Sequence, residues 1–142
     1  MRLSRPTDEA LVARKIGMID FALYGAPDHV SRGENRRSFI AYDFDQAELP
    51  QQKWLLDHVG EREIVLRVND VESQRAAAAA GLGMAILPCY CVAGDHRLIS
   101  IATPTRPSRE LWLAFHADLQ KTETIRVVIA FLADILGKPD LD

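Results

Sequence analysis

Residues Ile64–Pro88, IVLRVNDVESQRAAAAAGLGMAILP, decide the fold. Ile64–Val68 is β-branched and apolar and reads as a buried strand. Asn69 follows as a helix cap, and Glu72, three residues on, answers it as a capping-box variant. Asp70–Ala80 is alanine-rich and reads as a helix, closed by Gly81 as its left-handed C′ residue. Gly83–Leu87 is a second apolar strand, stopped by Pro88. A strand–helix–strand segment of this size is a βαβ unit, which predicts parallel strands joined by a right-handed crossover.

Working outward, Ile19–Gly25 (IDFALYG) reads as a strand halted by Ala26-Pro27, and Asp28–Arg32 as a short helix closed by Gly33. Ser38–Tyr42 reads as a short strand. Pro50–Val59 suits a helix begun by its proline, with Trp54, Leu55 and His58 on the inner face. On the other side, Leu98–Ile101 is a short strand, Pro104 and Pro107 mark a loop, and Glu110–His116 (ELWLAFH) is a strong strand. A helix then runs from Thr122 or Thr124 to Leu136, with Gly137 and Pro139 as its stop. Its Ile125, Val128, Ile129, Leu132, Ile135 and Leu136 form a helical stripe that has to pack on something. Strands alternating with helices indicate an α/β domain.

The chain has 142 residues, of which 48% are hydrophobic and 26% charged, which fits one folded domain rather than a disordered segment. The formal net charge is −3, and no basic run offsets it, so direct nucleic-acid binding is disfavoured. Cys89 and Cys91 lie too close along the chain for an unstrained disulfide and read as reduced thiols, in keeping with a cytoplasmic protein. Cys89, Cys91 and His96 lack the C-x2-C spacing of a zinc knuckle. The apolar run Ala76–Val92 is too short and glycine-broken to span a membrane, so no membrane partner is expected. The scattered histidines His29, His58, His96 and His116 accompany no nucleophile elbow, HExxH or phosphate loop, and neither a cofactor nor enzymatic chemistry is expected.

Three stretches resemble the effector-binding domain of LysR-type transcription regulators. They are RLSRPTD with LVARKIG and FALYGAP (Arg2–Asp8, Leu11–Gly17, Phe21–Pro27); LRVND with the Ala76–Pro88 run; and ELWLAFHADL (Glu110–Leu119) with the helix carrying Val127 and Phe131. They follow the family's order and approximate spacing.

That resemblance implies a type-2 periplasmic-binding-protein-like fold, with two α/β lobes and a small-molecule effector in the cleft between them. Residues 24–110 would form the second lobe, and residues 1–23 and 111–142 the hinge and first-lobe remnants. It also implies a winged helix-turn-helix and opening first-lobe elements ahead of Arg2, so the chain is expected to be a sensor truncated at its N-terminus. A homodimer is expected from the apolar surface that such a piece would expose.

The resemblance carries Asn69, Asp70 and Val71 over as effector contacts, because a helix start after a strand presents free N–H groups to a polar or anionic ligand. The competing reading is that Asn69 merely caps the helix. Tyr24 and Gly25 are placed at the first crossing between lobes, with an ordinary strand-end aromatic as the alternative. Pro88 is placed at the cleft edge, against a plain strand stop. Trp54 and Trp112 are read as core. The alternatives to a sensor are an interaction module without ligand and an unrelated small α/β enzyme.

Overall fold

A computed structural model describes residue 3 and residues 11–119 and 121–136. Among the described residues two compact units emerge: those up to Ile19 together with those from Ser108 onward, and Asp20–Pro107. The helix stop at Gly137 and Pro139, and the Arg2–Asp8 motif apart from Leu3, lie outside the described residues.

The second unit is built on one strand. β2 (Phe39–Tyr42) is buried along its whole length. It pairs in parallel with β3 (Ile64–Val68), Tyr42 lying opposite Val68. On its other side Phe39 bridges Met84 in parallel, with Ile40 N–H donating to Met84 O and Met84 N–H to Ser38 O, both at 2.8 Å. Met84 leads into β4 (Ala85–Pro88), which pairs antiparallel with β1 (Leu11–Gly25), and β1 pairs antiparallel with β5 (Ile99–Ile101). The spatial order is therefore β3-β2-β4-β1-β5. The two strands of the expected βαβ unit do run in the same direction, but they are not neighbours, because β2 lies between them.

Helices cover both faces. On one, α3 (Val71–Ala79) sets Ala77 and Ala78 against Ile40, Ala85 and Leu87, with Val92 and Leu98 completing the cluster. Alanine suits this contact, since small side chains let helix and sheet approach closely. α2 (Pro50–Val59) packs on β2 and β4 and buries Leu55 and Val59. Phe39, Ile40, Leu55, Met84, Ile86 and Leu87 are fully enclosed, each worth about 1.5–3 kcal/mol.

Several expectations are corrected. Trp54 and His58 do not join Leu55 in the interior; they stack on each other half-buried, ring centroids 5.1 Å apart, and Trp54 Nε1–H donates to Thr105 Oγ1 at 2.9 Å. The buried partners on α2 are instead Gln51 and Gln52. Trp112 is also half-buried, its indole donating to Glu110 at 2.9 Å. Cys89 and Cys91 lie in a helical turn, α4 (Cys89–Val92), and both thiols are free. The first predicted helix shortens to α1 (Pro27–Val30), and Gly33 and Gly81 take the positive φ that L side chains avoid, 89° and 86°.

The first unit contains the opening half of β1, β6 (Ser108–His116), which pairs with β1, and α5 (Glu123–Leu136). Ile16, Leu111 and Ile129 are its buried apolar residues among those described. The α5 stripe is only partly covered: Ile129 is buried and Ile125 and Leu132 half-buried, while Val128 and Ile135 are 41% and 49% exposed.

His29 ties α1 into the second unit from an almost fully buried position. Its Nε2 accepts the Ser38 N–H at 3.0 Å, which places the ring proton on Nδ1. Burial first, and then the charge of Arg32, hold its pKa below the ordinary 6.5, and burial lowers His58 in the same sense. In the window beneath 6.5 the unfolded chain therefore takes up protons that the folded chain refuses. The stability from the neutral rings is present above that value and lost as pH falls through the folded values. Urea unfolding should show stability declining from pH 7.5 to 5.5. His29→Gln should be less stable at pH 7.5 yet flatter across this window, and a slope identical to the parent would refute the assignment.

Candidate functional site

Because β2, β3 and β4 run in parallel, their C-terminal ends lie together at one end of the second unit's sheet. The chain also enters and leaves the unit there: Phe21 N–H donates to Pro107 O at 3.0 Å, and Phe21 sits opposite Pro88 in the β1–β4 register.

Beyond the β2–β4 bridge at Phe39 and Met84, buried Gln52 bonds the Tyr42 backbone in the way a strand would. Its Oε1 accepts the Tyr42 N–H at 3.1 Å and its Nε2 donates to Tyr42 O at 3.3 Å. Arg67 Nη1 also donates to Tyr42 O at 3.0 Å, and its guanidinium lies 3.9 Å from the ring centroid of Phe44, which is 77% exposed. The chain then turns through Asp43–Gln46. Asp43 N–H donates to Val68 O at 3.2 Å, and Gln46 Nε2 donates to Asn69 O at 3.3 Å. Two consecutive strand ends are thus stitched into one polar rim.

The cap of α3 is Asp70, not Asn69. Asp70 is extended (φ −142°, ψ 156°); its Oδ1 accepts the Ser73 N–H and its Oδ2 the Ser73 hydroxyl, both at 2.7 Å. These bonds hold the Asp70 carboxyl below its ordinary pKa. Extended backbone at Asp70 moves the first helical turn one residue later than the sequence suggests, so Glu72 falls out of capping-box register and Ser73 takes the answering place. Asn69 remains exposed and its side chain takes no part in the cap.

Beside this turn, Arg75 of α3 donates to Cys91 O at 2.8 Å and meets Asp95 at 3.4 Å, fixing α4 against α3. Pro88, buried, caps α4; Arg106 donates to Phe21 O at 3.3 Å and to Cys89 Sγ at 3.4 Å. Burial raises the Cys91 thiol above its ordinary value, which keeps it protonated and unreactive. Among the described residues, no three His, Cys, Asp or Glu side chains gather as metal ligands.

The six residues singled out from sequence therefore separate. Asn69, Asp70, Val71 and Pro88 lie at the C-terminal end of the parallel strands. Tyr24 lies opposite Ala85, at the other end of β4, half-buried against the α3 core. Gly25 is next to it and buried; a methyl there would collide with Met84 Sδ. Three residues of strand, roughly 10 Å, separate the two groups. Tyr24 and Gly25 are also inside the second unit, since the chain crosses between units at Ile19/Asp20 and Pro107/Ser108. Asp43, Phe44, Gln46, Gln52 and Arg67 escaped the sequence reading. Their signal was a polar DFDQ run directly after a strand, meaningful only once that strand is known to parallel Ile64–Val68.

A family model described as LysR substrate binding domain matches residues 1–137. The chain belongs to this family. LysR substrate-binding domains are the effector-sensing regulatory domains of transcription regulators. Solved LysR-type structures share the fold. The CrgA regulatory domain of Neisseria meningitidis superposes with a TM-score of 0.71 at 16% identity, over 96% of this chain and 74% of that one. The CcmR regulatory domain of Synechocystis, in complex with 2-PG, gives 0.68 at 15%, over 94% and 70%. Full-length LysG of Corynebacterium glutamicum, with bound effector Arg, gives 0.70 at 14%, over 96% of this chain but 51% of that one. No curated protein matches the chain. No described helix of this LysR domain is long and apolar enough to cross a membrane.

If the two Gln52 bonds to the Tyr42 backbone hold the end of β2, Gln52→Leu, of similar volume, should remove them and cost about 1–3 kcal/mol in urea unfolding. A change below a few tenths of this would mean that Tyr42 finds another partner.

Proposed function

We propose that the polar rim at the C-terminal ends of β2, β3 and β4 is the second lobe's wall of the effector site, formed by Asp43, Gln46, Asn69, Asp70, Val71 and the Pro88–Tyr90 turn. The observation that carries this is the hydrogen-bonded joining of the Asp43–Gln46 turn to Asn69 at the strand ends, where open α/β sheets place ligands. Asn69 is the leading contact: its side chain is exposed and not spent on the helix cap.

The start of α3 is already satisfied by its own carboxylate, and Glu72 stands in its first turn. The charge at this wall therefore favours a polar, hydrogen-bond-donating effector over a free anion placed on the helix end. Binding such a ligand would bias the arrangement of the attached DNA-binding segments in a complete regulator.

A panel of amino acids, amines and small carboxylates tests this by thermal shift. A true effector at a hundred times its Kd adds about 2.7 kcal/mol of stability. Asn69→Ala should weaken its binding about tenfold or more without changing the unliganded midpoint, whereas Tyr24→Phe should bind as the parent does. Uniformly flat midpoints, or loss through Tyr24→Phe and not Asn69→Ala, would overturn the reading.

A second reading, association of copies, is favoured by α5, whose Val127, Val128, Phe131 and Ile135 are all exposed. Light scattering should find a dimer that Phe131→Glu shifts toward monomer; a monomeric parent would exclude it.

A further inference from the structure

At the other end of the same sheet, remote from the proposed effector wall, an open groove of roughly 410 Å³ is lined by Arg32, Arg36, Ser38, Glu63, Val65 and Leu66 with the Gly81-Leu82 corner. Its lining comes from the start of β3, the Arg32–Ser38 loop and the turn after α3.

The chemistry along it is uneven. Four arginines surround this corner, and two are spent: Arg37 donates to Val30 O at 3.0 and 3.3 Å, and Arg62 donates to the carbonyls of Glu34, His58 and Val59 while its guanidinium sits 4.7 Å from the Phe39 ring centroid. Arg32 and Arg36 line the groove and are exposed, and their guanidiniums take no hydrogen-bond or ion-pair partner among the described residues. In a chain of net charge −3, two unspent guanidiniums on one bank stand against one lining carboxylate, Glu63.

Cations beside a helix C-terminus complement its dipole, and that would account for Arg32 and Arg36 if they reached the last carbonyls of α3. They do not. The Ala76, Ala77 and Ala78 carbonyls are taken by the backbone N–H groups of Ala80, Leu82 and Gly81, and Leu82 O by the Ser38 hydroxyl. In the same groove, Val65 and Leu82 expose apolar surface, 41% and 53%. Paired guanidiniums favour a carboxylate, and the aliphatic pair favours an apolar body behind it.

We propose that this groove is a second ligand site on the domain, for a small monocarboxylate with an apolar body, the head held by Arg32 and Arg36 and the body by Val65 and Leu82. Glu63 disfavours a second negative charge and so selects against dianions. The site is independent of the effector wall, which lies at the opposite ends of the strands.

The test is an amide NMR titration of the 142-residue chain with hexanoate, hexylammonium and inorganic phosphate. Hexanoate should shift the amides of Arg32, Arg36, Val65 and Leu82, with hexylammonium silent there and phosphate weaker than hexanoate. The exposed double variant Arg32→Ala/Arg36→Ala should keep the spectrum of a folded chain and bind hexanoate about tenfold more weakly or worse, while Glu63→Gln should bind more tightly. The proposal falls if millimolar hexanoate leaves these amides unmoved, if the double variant binds like the parent, or if phosphate binds as well as hexanoate. Shifts confined to Asn69–Glu72 would also end it while leaving the effector wall intact.

Discussion

The second unit depends on β2 being hydrogen-bonded on both sides. Four consecutive residues, Phe39–Tyr42, are fully buried, so every backbone N–H and C=O along them needs a protein partner. β3 supplies one side and the Ser38–Met84 exchange the start of the other. Beyond that exchange the Gln52 amide bonds the Tyr42 peptide group with one donor and one acceptor, and Arg67 adds a second bond to its carbonyl. The same bonds set the direction in which the chain leaves β2. The position of Asp43, and through Gln46 that of Asn69, follows from it. A satisfied backbone is thus what shapes the rim.

Elements were legible in the sequence where local chemistry alone decides them. Pro50–Val59 and Ile64–Val68 have the predicted limits, because a proline at a helix start and a β-branched run bounded by polar residues need no tertiary information. Gly81 also has its predicted role, since a positive φ after an alanine helix suits glycine above all residues. The strand order was not legible. A chain segment shows that two strands are parallel through the helix between them, but not that a third strand from earlier in the sequence slides in between. Insertion of Phe39–Tyr42 between Ile64–Val68 and Ala85–Pro88 is a long-range packing choice with no local signature.

The candidate site was half legible for the same reason. Asn69, Asp70, Val71 and Pro88 follow strand ends, and the direction of a strand fixes which end of a parallel sheet they occupy. Tyr24 and Gly25 also follow a strand end, but theirs runs antiparallel to β4, which carries them to the far side. A strand's direction relative to its neighbours decides which residues share a site, and proximity to a strand end is uninformative without it. The misplaced cap is a smaller instance. Asn and Asp are equally good caps, and only the extended backbone of Asp70 and the two bonds from Ser73 separate them.

The sheet's polarity also distributes charge. A helix after a parallel strand presents its positive end beside that strand's C-terminus, and α3 does so at Val71. Here the chain puts its own carboxylate, Asp70, on that positive end and leaves the neutral amide of Asn69 outside it. Two unspent arginines stand at the opposite end, near the finish of α3, whose Ala76, Ala77 and Ala78 carbonyls are already taken by backbone N–H groups. Anion-seeking groups and hydrogen-bonding groups are thereby kept at opposite ends of one sheet. On the two proposals made for this unit, a small acid and a neutral polar molecule would meet different surfaces, and the charge of a ligand, more than its size, would determine which end receives it.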